Sequence, residues 1–179
     1  MCVEEVKEEE ERMEPTTGRE RGVLMGHGSV YKKYVTPKWL PQNIQWTMVD
    51  NDLRAGPDVV GDYDEPTSIG LEQWNYVVEC HCPIHGRLEM MERFLGNMKQ
   101  VLAPGGKVVV KAIPMLIRLL YPERVVRETE KKLWVNTVDL RRAWVDGEMP
   151  LVDEKLEYWR CLHGFTQVST HGLYGIFHN

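Results

Sequence analysis

Cysteine is scarce in this chain: four in 179 residues, Cys2, Cys80, Cys82 and Cys161. They are too few and too unevenly spaced for a disulfide framework, which agrees with a reducing compartment. No apolar run approaches the roughly 20 residues needed to cross a bilayer, and residues 1–21 lack the basic start and apolar centre of a signal peptide. An intracellular setting, cytoplasmic or nuclear, is therefore expected, with no membrane partner. Basic charge is short as well: 22 Lys and Arg stand against 27 Asp and Glu, a net charge of −5 that opposes a sequence-independent grip on nucleic acid. Internal repeats are absent. With 42% hydrophobic and 27% charged residues, the composition is that of a folded globular protein. The length allows one core.

Charge is unevenly placed. Residues 1–21 hold eight glutamates against Lys7, Arg12, Arg19 and Arg21, with Pro15, Gly18 and little to bury. They read as an acidic, flexible or partly helical tail ahead of a domain at 22–179. From Gly22 onward short apolar runs alternate with turn residues and helical patterns, the signature of an α/β fold: a mostly parallel sheet with helices on both faces. Strands are expected at Gly22–Met25, Ile44–Asp50, Asp58–Gly61, Tyr76–Cys80 and Lys107–Ile113, most of them short and apolar throughout as strands buried on both faces should be. A helix is expected over Arg87–Leu102, where Leu88, Met91, Leu95, Met98 and Leu102 recur at spacings of three and four. It stops at Ala103-Pro104-Gly105-Gly106, a sharp turn into the next strand. Pro114–Leu162 reads as two or three helices broken near Gly147 and Pro150. Phe165–Ser169 and Leu173–Phe177 flank His171-Gly172 as a closing antiparallel hairpin.

The chemistry gathers at the strand ends. The first strand runs into Gly26-His27-Gly28, a turn that lets a ligand lie against bare backbone where open α/β sheets bind ligands. The second ends in Asp50-Asn51-Asp52, with Asp50 twenty-two residues after Gly28. That is close to the roughly 20-residue separation at which a carboxylate meets a ribose held over such a turn; Asp50 and Asp52 both qualify, and capping the following turn is the alternative for either. Beyond the third strand, Asp62 could accept from an adenine amino group and Tyr63 offers a ring for stacking. Glu79 to His85 forms a polar, sulfur-rich loop at the same end. Cys80, His81, Cys82 and His85 are zinc-type ligands, but adjacent residues rarely fit one tetrahedron, no second pair stands at familiar spacing, and His163, His171 and His178 are scattered. No metal is expected; half-buried thiols are the better account.

Val-Leu-Met-Gly-His-Gly-Ser (23–29), Met-Val-Asp-Asn-Asp (48–52), Pro-Asp-Val-Val-Gly-Asp (57–62), Tyr-Val-Val-Glu (76–79) and Gln-Val-Leu-Ala-Pro-Gly-Gly-Lys-Val-Val-Val (100–110) together resemble the class I S-adenosylmethionine-dependent methyltransferases. The likeness covers most of Gly22–Ile113, and the helix ending in Leu-x-Pro-Gly-Gly is its most specific element. It implies a Rossmann-like fold with S-adenosylmethionine as cofactor, Gly26, His27 and Gly28 against the methionine and ribose, Asp50 or Asp52 on the ribose hydroxyls, and Asp62 with Tyr63 near the adenine. Glu79, Cys80 and His81 would lie beside the methyl group. Transfer to an unidentified acceptor then needs mainly in-line positioning, with Glu79, His81 or His85 to take a proton where the acceptor must lose one.

The chain departs from that pattern at Leu24, where an acidic residue usually stands, and at Val30, where a third glycine is common. Loss of the carboxylate removes a partner for the methionine amino group, so an interaction protein that keeps the fold without the reaction is the competing reading. Lys111, within the apolar run 108–113, is similar to a lysine of RNA ribose 2′-O-methyltransferases, but it is the only member of their Lys-Asp-Lys-Glu set recognisable here, so an RNA acceptor is the lesser reading. Arg118, Arg124, Arg127, Lys131, Lys132, Arg141 and Arg142 mix with acids as a solvated face would, in a region placed to roof the acceptor. Trp134, Trp144 and Trp159 would pack that region down or offer a surface to a partner chain or a second copy.

Overall fold

A computed structural model of the chain describes residues 18–26, 37–79, 86–124 and 142–179. Seven strands form one sheet: β1 Arg21–Met25, β2 Gln45–Asp50, β3 Val59–Val60, β4 Trp74–Glu79, β5 Leu102–Val110, β6 Gln167–His171 and β7 Tyr174–His178. Their order is β3-β2-β1-β4-β5-β7-β6. Strands β1 to β5 are mutually parallel, whereas β7 runs antiparallel to both β5 and β6. The closing hairpin is thus present two residues later than its first arm was expected, with Gly172-Leu173 as its turn.

The helices among the described residues include α1 Pro66–Ile69, α2 Leu88–Val101, α3 Ala112–Leu120 and α4 Pro150–His163. The period of α2 turns Met91, Phe94, Leu95, Met98 and Val101 into one buried stripe, and each such side chain contributes about 1.5–3 kcal/mol on leaving water. That stripe meets Val23, Met25, Val77, Val108 and Val110 from one face of the sheet, with α3 and α4 completing the cluster. These four helices all pack on this face. The opposite face, Leu24, Tyr76, Val78, Val109 and Ile176, is covered by Leu40 and Ile44 with the rings of Trp39, Trp46 and Tyr174.

Two local features differ from expectation. The turn after α2 is a bulge within β5: Leu102 already pairs with Trp74, and the register then skips to Tyr76 opposite Lys107. A side chain on Gly106 would come 2.8 Å from the Trp74 carbonyl oxygen, so this bulge requires glycine there. The strand expected to continue to Ile113 ends at Val110, and Ala112–Leu120 is helical. An apolar run has no period with which to separate buried strand from buried helix, and Pro114 is tolerated because it falls in the first turn. The break anticipated near Gly147 and Pro150 is where α4 begins, with Pro150 as its first helical residue.

Candidate functional site

The carboxyl ends of the parallel strands form one rim. At the tip of β1, Gly26 has φ +69°, a left-handed conformation that suits glycine. Its N–H donates to the Val49 carbonyl at 3.0 Å, joining the tip of β1 to β2. His27 and Gly28 lie outside the described residues.

Asp50 ends β2 and is half-buried. Its Oδ1 accepts the Asp52 N–H at 2.9 Å, and its backbone carbonyl accepts the Gly61 N–H at 3.1 Å, joining the tips of β2 and β3. Asp52 has another occupation. It caps the 3-10 turn Leu53–Ala55 by accepting the Arg54 N–H at 2.9 Å, and its two oxygens hold the Arg54 guanidinium at 2.9 and 2.8 Å. The side-chain hydrogen bond from Arg54, then the backbone one, holds this carboxyl below the usual carboxylate range. Asp50 and Asp52, equivalent by sequence spacing, are therefore different in three dimensions.

Asp62 stands just beyond β3. Its Oδ2 accepts from the Asn51 side-chain amide at 3.1 Å, its Oδ1 accepts the Asp64 N–H at 2.9 Å, and its own N–H donates to Ser68 Oγ at 3.0 Å. Asp50, Asn51 and Asp62 thus belong to one connected group. Tyr63 turns its ring toward α2, meeting Phe94 edge-on at a centroid distance of 5.6 Å. The neighbouring Arg93 pairs with Asp64 at 2.7 Å and is raised above its ordinary pKa first by a hydrogen bond with the Tyr63 side chain, then by the charge of Asp64.

Glu79, at the tip of β4, is 3% exposed and is the register partner of Met25, the residue before Gly26. Lys111 was expected inside an apolar strand. It is instead exposed, between the end of β5 and the start of α3, so it needs no buried partner. His81 and His85, with Cys80 and Cys82, lie outside the described residues, as do Arg127, Lys131, Lys132, Trp134 and Arg141. Among the described residues no three His, Cys, Asp or Glu side chains are grouped to hold a metal ion, and no helix is long and apolar enough to cross a membrane. An open groove of about 770 Å³ lies beside the first turn of α2, with Arg87, Leu88, Met90, Arg93 and Leu119 in its walls.

This rim brings together a left-handed glycine, two acceptor carboxylates on adjacent strand ends, and one buried carboxylate two strands from Asp50. Carboxylates so placed accept from hydroxyl and amino groups, and a buried one suits a cationic group. Asn51 is a member that strand-end reasoning passed over: it was one letter between two aspartates, and nothing in the sequence pairs it with Asp62.

No family model matches the sequence, and no curated protein matches it. Solved structures do match the folded chain. It is similar to the CurJ carbon methyltransferase, with a TM-score of 0.52 at 15% identity over 94% of this chain and 50% of that one. It is also similar to a provisionally assigned O-methyltransferase from Nostoc punctiforme, with a TM-score of 0.50 at 13% identity over 92% of this chain and 53% of that one. The chain spans about half the length of these structures. At such identities the likeness is one of fold, and it agrees with the strand order and the reversed β7. The chain has the class I methyltransferase fold.

Proposed function

We propose that the chain binds S-adenosylmethionine across the tips of β1, β2 and β3 and transfers its methyl group to an acceptor. The observation that carries this reading is the linkage of Gly26, Asp50 and Asp62 through three adjacent strand ends, by Gly26 N–H to Val49, Gly61 N–H to Asp50, and Asn51 to Asp62. Asp50 accepts from the ribose hydroxyls and Asp62 from the adenine amino group. Glu79, at the tip of β4 beside the end of β1, receives the methionine ammonium. Bound S-adenosylmethionine supplies a methyl group already activated on sulfonium, so the chain's own part is to hold both reactants in line and keep water out. Where the acceptor must lose a proton, His81 and His85, two and six residues after Glu79 in the sequence, are the proposed bases, with Lys111 at the same end of the sheet. The groove beside α2 is the proposed acceptor approach.

Titration calorimetry with S-adenosylmethionine and S-adenosylhomocysteine tests the reading. Binding that weakens at least tenfold in Asp50→Ala is expected, and no heat at millimolar ligand would end it. One observation favours a second reading, an interaction protein that keeps the fold without the reaction. Leu24 is 6% exposed and packs in the apolar cluster with Leu40, Ile44, Tyr76 and Val78. The position that would carry the family's carboxylate serves the core here.

A further inference from the structure

We infer that Asn51 is a positioning residue that presets Asp62 for the base of the nucleoside; the inference rests on the proposed cofactor reading. β3 has two residues and only two paired positions with β2, Val49 with Val59 and Asp50 with Val60. A strand so short needs holding from outside the ladder. At its start Asp58 does this, donating its N–H to the Met48 carbonyl at 3.0 Å and accepting the Met48 N–H at Oδ2 at 2.8 Å. At its end the Gly61 N–H reaches the Asp50 carbonyl, and the Asn51 amide carries the linkage one residue further, to the carboxylate of Asp62.

The chemistry of the bridge matters as much as its place. Facing a carboxylate oxygen, an asparagine must present its NH₂ end, which donates without carrying charge. Asp62 is therefore oriented from two sides, by Asn51 at Oδ2 and by the Asp64 N–H at Oδ1. Each of its oxygens has a lone pair left to accept another donor. Arg93, the nearby cation on α2, is engaged by Asp64 instead. A lysine or arginine at position 51 would hold Asp62 equally well but neutralise it. The arrangement suits a base edge that offers an amino group, and it disfavours one that offers a carbonyl there.

The test compares S-adenosylhomocysteine with S-inosylhomocysteine, whose base carries a carbonyl oxygen in place of the amino group, by calorimetry, with melting temperature read in parallel. Asn51→Ala is expected to weaken S-adenosylhomocysteine about tenfold, the scale of one charge-assisted hydrogen bond, and to leave the weaker inosine ligand nearly unchanged. The exchanged pair Asn51→Asp with Asp62→Asn restores a bridge of the same length but puts the charge on the wrong strand. It is expected to recover melting temperature and not affinity. Equal binding of S-adenosylhomocysteine by wild type and Asn51→Ala, equal losses for both ligands, or full recovery of affinity in the exchanged pair would each overturn the positioning role while leaving the cofactor reading intact. Failure of the wild type to bind S-adenosylhomocysteine would overturn both.

Discussion

The imidazole of His163, in the last turn of α4, fills the space beside Gly96 in the middle of α2: a Cβ built on Gly96 would lie 3.0 Å from Nδ1 and 3.1 Å from Cε1. The glycine sits inside a helix, where it costs about 1 kcal/mol relative to alanine, and the ring it admits packs against Phe165. Gly96→Ala should therefore fail to give the usual gain. In the wild-type background its melting temperature is expected to fall by a few degrees, because the ring must shift by tenths of an ångström in a packed site. In a His163→Ala background the same substitution should stabilise by about 1 kcal/mol. A double-mutant cycle by urea denaturation measures the coupling; additive effects would remove the contact from the account.

The same histidine predicts a pH dependence. Burial, helped by the charge of Lys99 and opposed by Glu92, pushes His163 below its ordinary pKa, and burial with Lys107 does the same to His178. Both are favoured neutral in the fold, so the unfolded chain binds more protons below about pH 6.5. Stability is full above that value and declines as pH falls from there toward the lowered folded-state values. The urea midpoint is expected to drop between pH 7.5 and 5.5, and His163→Gln should flatten part of that slope. A slope unchanged in this variant would assign the whole effect elsewhere.

Glu92 joins α2 to α4 from a half-buried position. Its Oε1 accepts from Lys155 Nζ at 2.9 Å and from the indole of Trp159 at 3.0 Å. Burial raises this carboxyl, but the two hydrogen bonds and the lysine charge outweigh it and hold the group below the ordinary range. Glu92→Ala leaves the indole N–H of Trp159, a residue wholly inside the core, without its acceptor. It is expected to cost about 1–3 kcal/mol. Glu92→Gln keeps an acceptor and should cost less. Equal losses in the two variants, measured by denaturant titration, would mean that the ion pair rather than the indole contact carries the effect.

How far the sequence could be read depends on the kind of signal each element leaves. β1, β2 and β4 are short apolar runs bounded by polar residues, and α2 has an unmistakable period, so these were legible within a residue or two. The start of α3 was not: Val108 to Ile117 is apolar apart from Lys111 and Pro114, and no alternation marks the point where strand becomes helix. Among the site residues, Asp50 and Asp62 could be picked out because a strand end and a following acid are local facts. The separation of Asp50 from Asp52 needed the Arg54 side chain folded back on Asp52, and the bridge from Asn51 to Asp62 needed β2 and β3 side by side. Side-chain pairing across strands leaves no trace in the order of residues.

Glu79 and Leu24 give the sharpest prediction about the site. They belong to neighbouring parallel strands, with Leu24 opposite Val78 and Met25 opposite Glu79, so Glu79 stands at the same rim, one residue beyond Leu24's level and on the opposite pleat. If Glu79 receives the methionine ammonium, Glu79→Gln should weaken S-adenosylhomocysteine at least about tenfold, since hydrogen bonds to charged groups contribute roughly 1.5–3 kcal/mol. The same variant should leave 5′-methylthioadenosine, which lacks the amino-acid portion, bound as before. Asp50→Ala, acting at the ribose, should weaken both ligands. Returning an acid to β1 is no substitute: Leu24→Glu puts a carboxylate into an apolar cluster and should destabilise the fold by several kcal/mol without improving affinity. Calorimetry of the two ligands against the three variants, with melting temperatures as the control for folding, gives the answer. Equal weakening of both ligands by Glu79→Gln would move that carboxylate away from the ammonium.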